Sequence, residues 1–414
     1  MKKLFILTLL SFTMSFAKAD SWTQKATFPG SNRIGCFSFS MGTKGYFGCG
    51  YDNNWTTTRI FWEYDQLSNS WTQKADFPDS ARVYATGFSI AGNGYAGLGV
   101  SPVLGWMQDF WKYDPAINAW SPVDSFPAGG RAEACSFVIN NKAYVGTGSG
   151  NIAPYIFNDL WEYDPSTNAW TAKASFPGQA RIKAMGVSTG SYGYIVTGFA
   201  STTYFSDVWQ YNPVTNAWIQ KANFTGDPRG GAAGFSLLGE LYVGTGNNKP
   251  SVGSLYPSKD WWRYNQVINQ WTQKNSFFGA PRYETGFFAI NNKGYVGIGV
   301  NANVQYSDFW EYTPDAPSGI NVFDPDSYRD GLEFEVYPNP AKESLFISYS
   351  LTEKENLEMI IRDIHGKKVC LTQSPIYNTQ SKVFKVSLKE LGCGIYLVEL
   401  TNGKERAMKK FVRE

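Results

Sequence analysis

One pattern, written six times, limits what this chain can become. Its clearest copy is Asp159-Leu160-Trp161-Glu162-Tyr163-Asp164-Pro165-Ser166-Thr167-Asn168-Ala169-Trp170. Trp161 and Tyr163 lie two apart and so share one face of a strand, with Glu162 on the other. Asp164-Pro165 breaks the run, because proline has no ladder donor and fixes φ for a turn, and Asn168 tolerates a left-handed backbone. Trp170 opens the return strand. The Trp-x-Tyr pair recurs at Trp62/Tyr64, Trp111/Tyr113, Trp209/Tyr211, Trp262/Tyr264 and Trp310/Tyr312.

The return-strand tryptophan stands at Trp22, Trp71, Trp120, Trp170, Trp218 and Trp271, every 48 to 53 residues. An arginine follows with the same spacing: Arg33, Arg82, Arg131, Arg181, Arg229 and Arg282. Next come a small-and-aromatic run such as Ala134 to Ile139, a polar turn (Asn140-Asn141-Lys142), and Tyr144-Val145-Gly146-Thr147-Gly148. Each period thus holds four short strands, and four strands in about 50 residues is the signature of a propeller blade. The chain enters on a Trp strand (Trp22 to Lys25) and leaves after a Trp-x-Tyr strand (Trp310 to Tyr312). Those two are hairpin partners in every internal repeat, so the N-terminal strand is expected to close the ring as the outermost strand of the last blade. Lysine recurs there (Lys25, Lys74, Lys173, Lys221, Lys274), as suits an exposed sheet edge that must not pair with another molecule.

On these motifs the chain resembles kelch-repeat β-propellers of the galactose oxidase-like superfamily. The family's glycine pair after the second strand is Gly-x-Gly here, as in Gly146-Thr147-Gly148, while the W-x-Y-D-P-x-x-N-x-W half fits well. The resemblance implies a fold, and proteins of this fold range from adaptors to enzymes.

The two ends read differently. Residues 1–19 look like a secretory signal peptide: Lys2 and Lys3, an apolar run from Leu4 to Phe16, and Ala17-Lys18-Ala19 as a small-x-small cleavage site. That run is too short to span a bilayer, and no transmembrane helix is expected elsewhere. The ring occupies 20–314, and 315–331 is a linker rich in Pro, Ser, Gly and Asp. Residues 332–414 hold alternating strand-like runs (Phe334–Tyr337, Leu345–Ser350, Glu358–Asp363, Lys382–Leu388, Ile395–Leu400, Ala407–Val412) that suggest a small Ig-like β-sandwich. Tyr337-Pro338-Asn339-Pro340-Ala341, Asp363-Ile364-His365-Gly366-Lys367, Gly394 to Val398 and the terminal Lys409 to Val412 resemble the type A C-terminal sorting domain of the Bacteroidetes type IX secretion system. This implies passage across the outer membrane by that machinery, and a secreted or cell-surface location. The expected fold class is therefore all-β: a six-bladed kelch-like propeller closed by its N-terminal strand, followed by a small sandwich.

Composition removes several kinds of chemistry. With 37 Lys+Arg against 35 Asp+Glu, the chain has no basic excess for nucleic acid. Its one histidine is His365, so the ring has no imidazole for a metal, a general base or a nucleophile pair. No metal and no cofactor are expected. The Asp before the tryptophan recurs in five copies, with Ile60 in the first, which argues for a turn or strand-entry hydrogen bond over a cation ligand. Five cysteines in an exported chain invite disulfides, with Cys36–Cys49 and Cys370–Cys393 as the possible pairs and Cys135 left over.

Candidate ligand residues gather on one face. If the strand after each arginine is innermost, six guanidinium groups approach the channel and could grip a carboxylate or sulfate, or bond carbonyls and acids between blades. Two positions on stand Gly35, Tyr84, Glu133, Lys183, Gly231 and Glu284, where the copies differ. Glu133 and Glu284 are the residues that would serve acid–base work at a sugar carbon, or they pair with neighbouring charges. The loops between second and third strands, on the same face, carry Tyr51, Trp55, Trp106, Tyr155, Phe157, Tyr204, Phe205, Tyr256 and Tyr306. Aromatic rings on exposed loops suit sugar stacking or a protein partner. The sequence thus reads as an exported module that binds glycan or protein. The alternative is a carbohydrate-active enzyme of the sialic-acid mutarotase/epimerase type, a resemblance some exported kelch propellers suggest; catalysis is left open.

Overall fold

The computed structural model describes residues 19–248, 256–266, 268–315, 333–350, 358–363, 368–371, 383–392, 394–401 and 406–413. The expected signal peptide up to residue 18, the linker beyond Asp315 and the His365 motif lie outside these residues. Ala19–Pro314 forms one compact unit and the C-terminal region belongs to another.

The first unit contains six four-stranded antiparallel sheets. In the third, Cys135–Ile139, Lys142–Gly146, Leu160–Asp164 and Ala169–Lys173 pair in sequence order. Register aligns the aromatics: Phe137 faces Tyr144, and Tyr163 faces Trp170. The first strands (Phe37–Met41, Thr86–Ile90, Cys135–Ile139, Met185–Ser188, Ala233–Leu237, Gly286–Ile290) neighbour one another in a closed circle around a central channel. Their residues mostly alternate between buried and half-buried, while the fourth strands hold only half-buried and exposed ones, so the core lies between blades and thins outward. Ser21–Gln24 pairs antiparallel with Phe309–Thr313, Trp22 opposite Tyr312, as the fourth strand of the last sheet.

Blades interlock by size. A Cβ added to Gly45, Gly94, Gly193 or Gly294 would lie 2.0, 2.3, 2.1 or 1.8 Å from the rings of Phe288, Phe39, Phe137 and Phe235 of the preceding blade. Only glycine leaves room for those rings at that distance. At the fifth blade the preceding residue is the smaller Val187, and Leu241 fills the space; both sit in one core cluster.

Polar side chains repeat the lock at the perimeter. The Tyr64, Tyr113, Tyr163, Tyr211 and Tyr264 hydroxyls donate to the turn residues Asn69, Asn118, Asn168, Asn216 and Asn269 at 2.7–2.9 Å. Each of these asparagines also accepts a backbone N–H from the preceding blade, such as Ala26 N to Asn69 at 3.0 Å. At the seam Asp20 takes the asparagine's part, accepting from the Tyr312 hydroxyl at 3.0 Å and from Asn275 N at 2.8 Å. Three edge lysines differ from the expectation of an exposed guard. Lys25, Lys74 and Lys173 fold inward onto the third-strand carboxylates Glu311, Glu63 and Glu162 at 3.5, 3.8 and 3.1 Å.

In the C-terminal unit, Glu333–Tyr337, Ser344–Ser350 and Val383–Ser387 form one sheet. Lys368–Leu371, Glu358–Asp363, Gly394–Thr401 and Arg406–Arg413 form another. Phe334, Leu345, Ile361, Val398 and Phe411 share its apolar core. The strand Lys368–Leu371 has no counterpart in the sequence reading. It is four residues long and pairs across a bulge at Ile361/Arg362, so it offers little alternation to detect.

Candidate functional site

The second strand of each blade runs back to the face where the next arginine enters. There the chain turns through two consecutive positive-φ residues, such as Thr147 (60°) and Gly148 (92°), and Gly148 N bonds Arg181 O at 2.8 Å. This fixes each arginine at the blade junction. The side chains of Arg82, Arg131, Arg181, Arg229 and Arg282 are 0% exposed, and they do not face the channel as an anion grip. Each guanidinium forks onto the aspartate before its blade's tryptophan: Asp109, Asp159, Asp207, Asp260 and Asp308. For Arg82 the two bonds to Asp109 are 2.6 and 3.0 Å. The same carboxylate accepts the indole N–H two residues on, as from Trp111 at 2.7 Å and Trp209 at 2.8 Å. The buried cation is thereby paired and bonded, which its desolvation requires. The aspartates are accordingly strand-entry acceptors.

Several loop aromatics complete this structural unit. Arg131 lies between Phe126 and Phe157 at 4.8 and 4.1 Å, and Arg181 between Phe176 and Phe205 at 4.7 and 4.1 Å. Tyr306 covers Arg282 at 4.0 Å. Phe157, Phe205 and Tyr306 are therefore cation–π partners of buried arginines.

At the channel mouth the six unequal positions all adopt a left-handed backbone, from φ 51° at Lys183 to 64° at Gly231. Main-chain bonds run round them: Tyr84 N to Gly35 O, Glu133 N to Tyr84 O, Lys183 N to Glu133 O, Gly231 N to Lys183 O and Glu284 N to Gly231 O, at 2.8–3.2 Å. Four side chains meet over the opening. Lys183 Nζ bonds Glu284, lies 3.3 Å from Glu133 Oε1, and stands 4.7 Å above the Tyr84 ring. Ser149 donates to the other Glu133 oxygen at 3.1 Å. Burial alone would lower the Lys183 pKa, but the Glu284 and Glu133 carboxylates outweigh it and hold the ammonium above the usual lysine range. Burial, then the Glu284 charge, pushes the Tyr84 hydroxyl up. Glu133 and Glu284 thus converge as expected of one site, though onto a lysine and not onto arginines. Behind them lies a channel cavity of about 360 Å³, walled by Phe39, Phe88, Phe137 and Phe235 with Ser38 and Ser136.

The remaining loop aromatics divide. Trp55, Tyr155 and Tyr256 are 50%, 60% and 48% exposed. Trp106 is half-buried, and Tyr204 stacks on Phe199 at 5.1 Å while accepting from Asn247 at 3.2 Å. Residues 249–255 of the longest loop lie outside the described ones. Trp55 and Tyr155 hold φ of 59° and 68°, a backbone bulky side chains rarely adopt, and Asp52 pins the first loop by accepting from Asn54 and Thr56.

The Cys36–Cys49 disulfide is not formed. The two residues end adjacent strands, but Cys49 has φ 60° and joins the core toward the second blade, while Cys36 packs toward the sixth. Cys36 Sγ instead donates to Cys49 O at 3.2 Å. Burial pushes the Cys36 thiol up to about 12 and that of Cys135 up to about 11, so neither is a ready thiolate. The Cys370–Cys393 pairing lies outside the described side chains. Among the described residues no cluster of His, Cys, Asp or Glu could hold a metal.

Comparison with known proteins agrees with this fold. Residues 335–414 match the secretion system C-terminal sorting domain, and residues 194–225 match the kelch motif. The solved "Structure of YjhT" is similar, with a TM-score of 0.60 and 20% identity over 68% of this chain and 95% of that one. Likeness at that identity speaks for the fold alone. A search of the curated proteins finds no match. The sorting domain indicates type IX secretion to the cell surface or outside. No helix among the described residues is long and apolar enough to cross a membrane.

Proposed function

We propose that this kelch-type propeller, carrying a secretion sorting domain, is an exported binding protein that takes a glycan or protein ligand on its channel-mouth face. The observation that carries the reading is the presentation of Trp55 and Tyr155. Both rings stand half or more exposed on strained backbones in loops that differ between the six copies. Strain of this kind persists where surrounding structure holds a residue for a purpose, and unequal loops give a repeat scaffold its specificity. The charged groups nearby support binding over chemistry, because Glu133 and Glu284 are both ion-paired with Lys183.

A glycan array probed with the purified protein tests this. Trp55→Ala and Trp106→Ala together should weaken the recovered ligand by about 1–3 kcal/mol, as lost stacking anchors do. Asn141→Ala and Ser166→Ala, on the opposite face, should leave affinity unchanged. Weakening by the second pair alone would place the ligand on the wrong face. The convergence of Glu133 and Glu284 over a cavity favours a second reading, an enzyme on sugars. Turnover of a bound sugar that Glu133→Gln or Glu284→Gln abolishes without loss of binding would select it.

A further inference from the structure

Five of the six blade arginines have an aspartate in their fork; the first does not. Ile60 stands where Asp109, Asp159, Asp207, Asp260 and Asp308 stand in the other blades, and a hydrocarbon cannot accept a hydrogen bond. Arg33 is nonetheless as deeply placed as its counterparts, at 2% exposed. Its Nη1 donates to the Cys49 carbonyl at 3.2 Å. The indole Nε1 of Trp62, whose counterparts in the other five blades donate to the aspartate, has no partner. Arg33 Nε, whose counterparts in four blades donate to the backbone carbonyl two residues earlier, has none either. Arg131 Nε is also unpartnered, but the Arg131 fork holds Asp159. Among the described residues no carboxylate comes within salt-bridge distance of Arg33.

A guanidinium cannot shed its proton to escape this, and an unpaired buried cation is strongly unfavourable. We infer that the first blade is a carboxylate-binding site, in which the Arg33 fork and the Trp62 indole N–H hold from outside the group that the other five blades carry in their own sequence. In the siblings Nη1, Nη2 and the indole N–H hold the carboxylate, so the same groups of Arg33 and Trp62 suit a planar, bidentate anion. The position is reachable, because Ile60 is only partly buried and the sibling aspartates keep 21–28% of their side-chain surface exposed. Close backbone does not bar it. A Cβ on Gly30 would lie 2.5 Å from Trp62 Nε1, but one on Gly226 would lie 2.9 Å from Trp262 Nε1, and Trp262 still bonds Asp260 at 2.7 Å. The site is distinct from the aromatic loop tips, and it stands whether or not those bind a glycan.

The carboxylate comes either from a free small acid or from a polypeptide, and one experiment separates them. The full chain with ¹⁵N-labelled indoles is titrated at constant ionic strength with acetate, with a peptide ending in a free carboxylate, and with the same peptide amidated. The Trp62 signal is identified by its loss in Trp62→Phe. Acetate should move that signal saturably and raise Tm. A response to the free-carboxylate peptide without one to acetate assigns the source to a polypeptide and keeps the site; silence to both overturns it, as does an equal response to the amidated peptide. Ile60→Asp supplies the group internally, so it should raise Tm by about 2–4 °C and abolish every response. An Ile60→Asp protein less stable than wild type, or still responsive, would also overturn the proposal, since the position would then not accept a carboxylate.

Discussion

Asp109, Asp159, Asp207, Asp260 and Asp308 each receive two donors that burial would otherwise strand, an arginine fork and an indole N–H. Removing Asp159 leaves Arg131, at 0% exposure, with no carboxylate partner among the described residues, whereas Arg82 would keep Asp79 at 2.9 Å. Asp159→Ala should cost about 3–5 kcal/mol in denaturant unfolding. Asp52→Ala, on a loop, should cost far less; equal losses would mean that the fork adds nothing. The arginines and the aspartates were each visible in the sequence as repeats, and the aspartates were readable as hydrogen-bond acceptors. Their partnership was not, because Arg131 and Asp159 are 28 residues apart and meet only once the sheet has folded back. For the same reason spacing alone does not show that Tyr306 covers Arg282. Lys183 and the two glutamates stand out in the sequence because they break the repeat, but whether they join each other or the arginines depends on side-chain reach.

Between blades, the unit of packing is a large residue on one first strand and a small one on the next second strand. Phe39 with Gly94, Phe137 with Gly193 and Phe235 with Gly294 follow it, and Val187 with Leu241 reverses it. Val187→Phe should therefore overpack the fourth-to-fifth blade junction and destabilise by about 1–3 kcal/mol. Adding Leu241→Gly should recover most of that loss, and a double-mutant cycle on chemical unfolding measures the coupling. Additive losses would show that the junction yields elsewhere. Strand order, turns and the four-strand period could be read from alternation and spacing, since those depend on local chemistry. The compensation at Val187 and Leu241 spans 54 positions, and only the ring makes them neighbours. The missing Cys36–Cys49 bond has a more local cause: a left-handed residue at Cys49 sends one thiol to the other side of the sheet.

The whole ring depends on one seam. Trp22 meets Trp261, Phe277 and Tyr312 with ring centroids 4.9–5.0 Å apart, and its indole donates to Asn275 O at 3.1 Å. Deleting residues 20–26 removes that contact and Asp20 with it, so the melting temperature should drop sharply; an unchanged value would mean that the strand is dispensable. The seam also has its own titrating group. Burial alone would raise the Glu311 carboxyl, but bonds from Lys293 and Tyr295 and the charge of Lys25 hold it below its usual 4.5. The unfolded chain thus takes up this proton more readily than the folded one. Glu311 contributes its full stability above pH about 4.5 and loses it as the pH falls through the lower folded value. Hydrogen exchange along Ser21–Gln24 should accelerate in that acid range before exchange in the first strands, and Glu311→Gln should remove the pH dependence.

Synthesis runs from one end, so the strand that completes the last blade is the first to exist. Ser21–Gln24 must wait, with its ladder groups unmatched, until Phe309–Thr313 has been made, a delay of nearly three hundred residues. Five sheets can assemble from neighbours in sequence as they emerge, but the sixth cannot. The final event in maturation is therefore a single encounter between the oldest and the youngest parts of the domain. Until it happens both edges stay open to pairing with another chain, and the time spent in that state sets how much of the product is lost to aggregation.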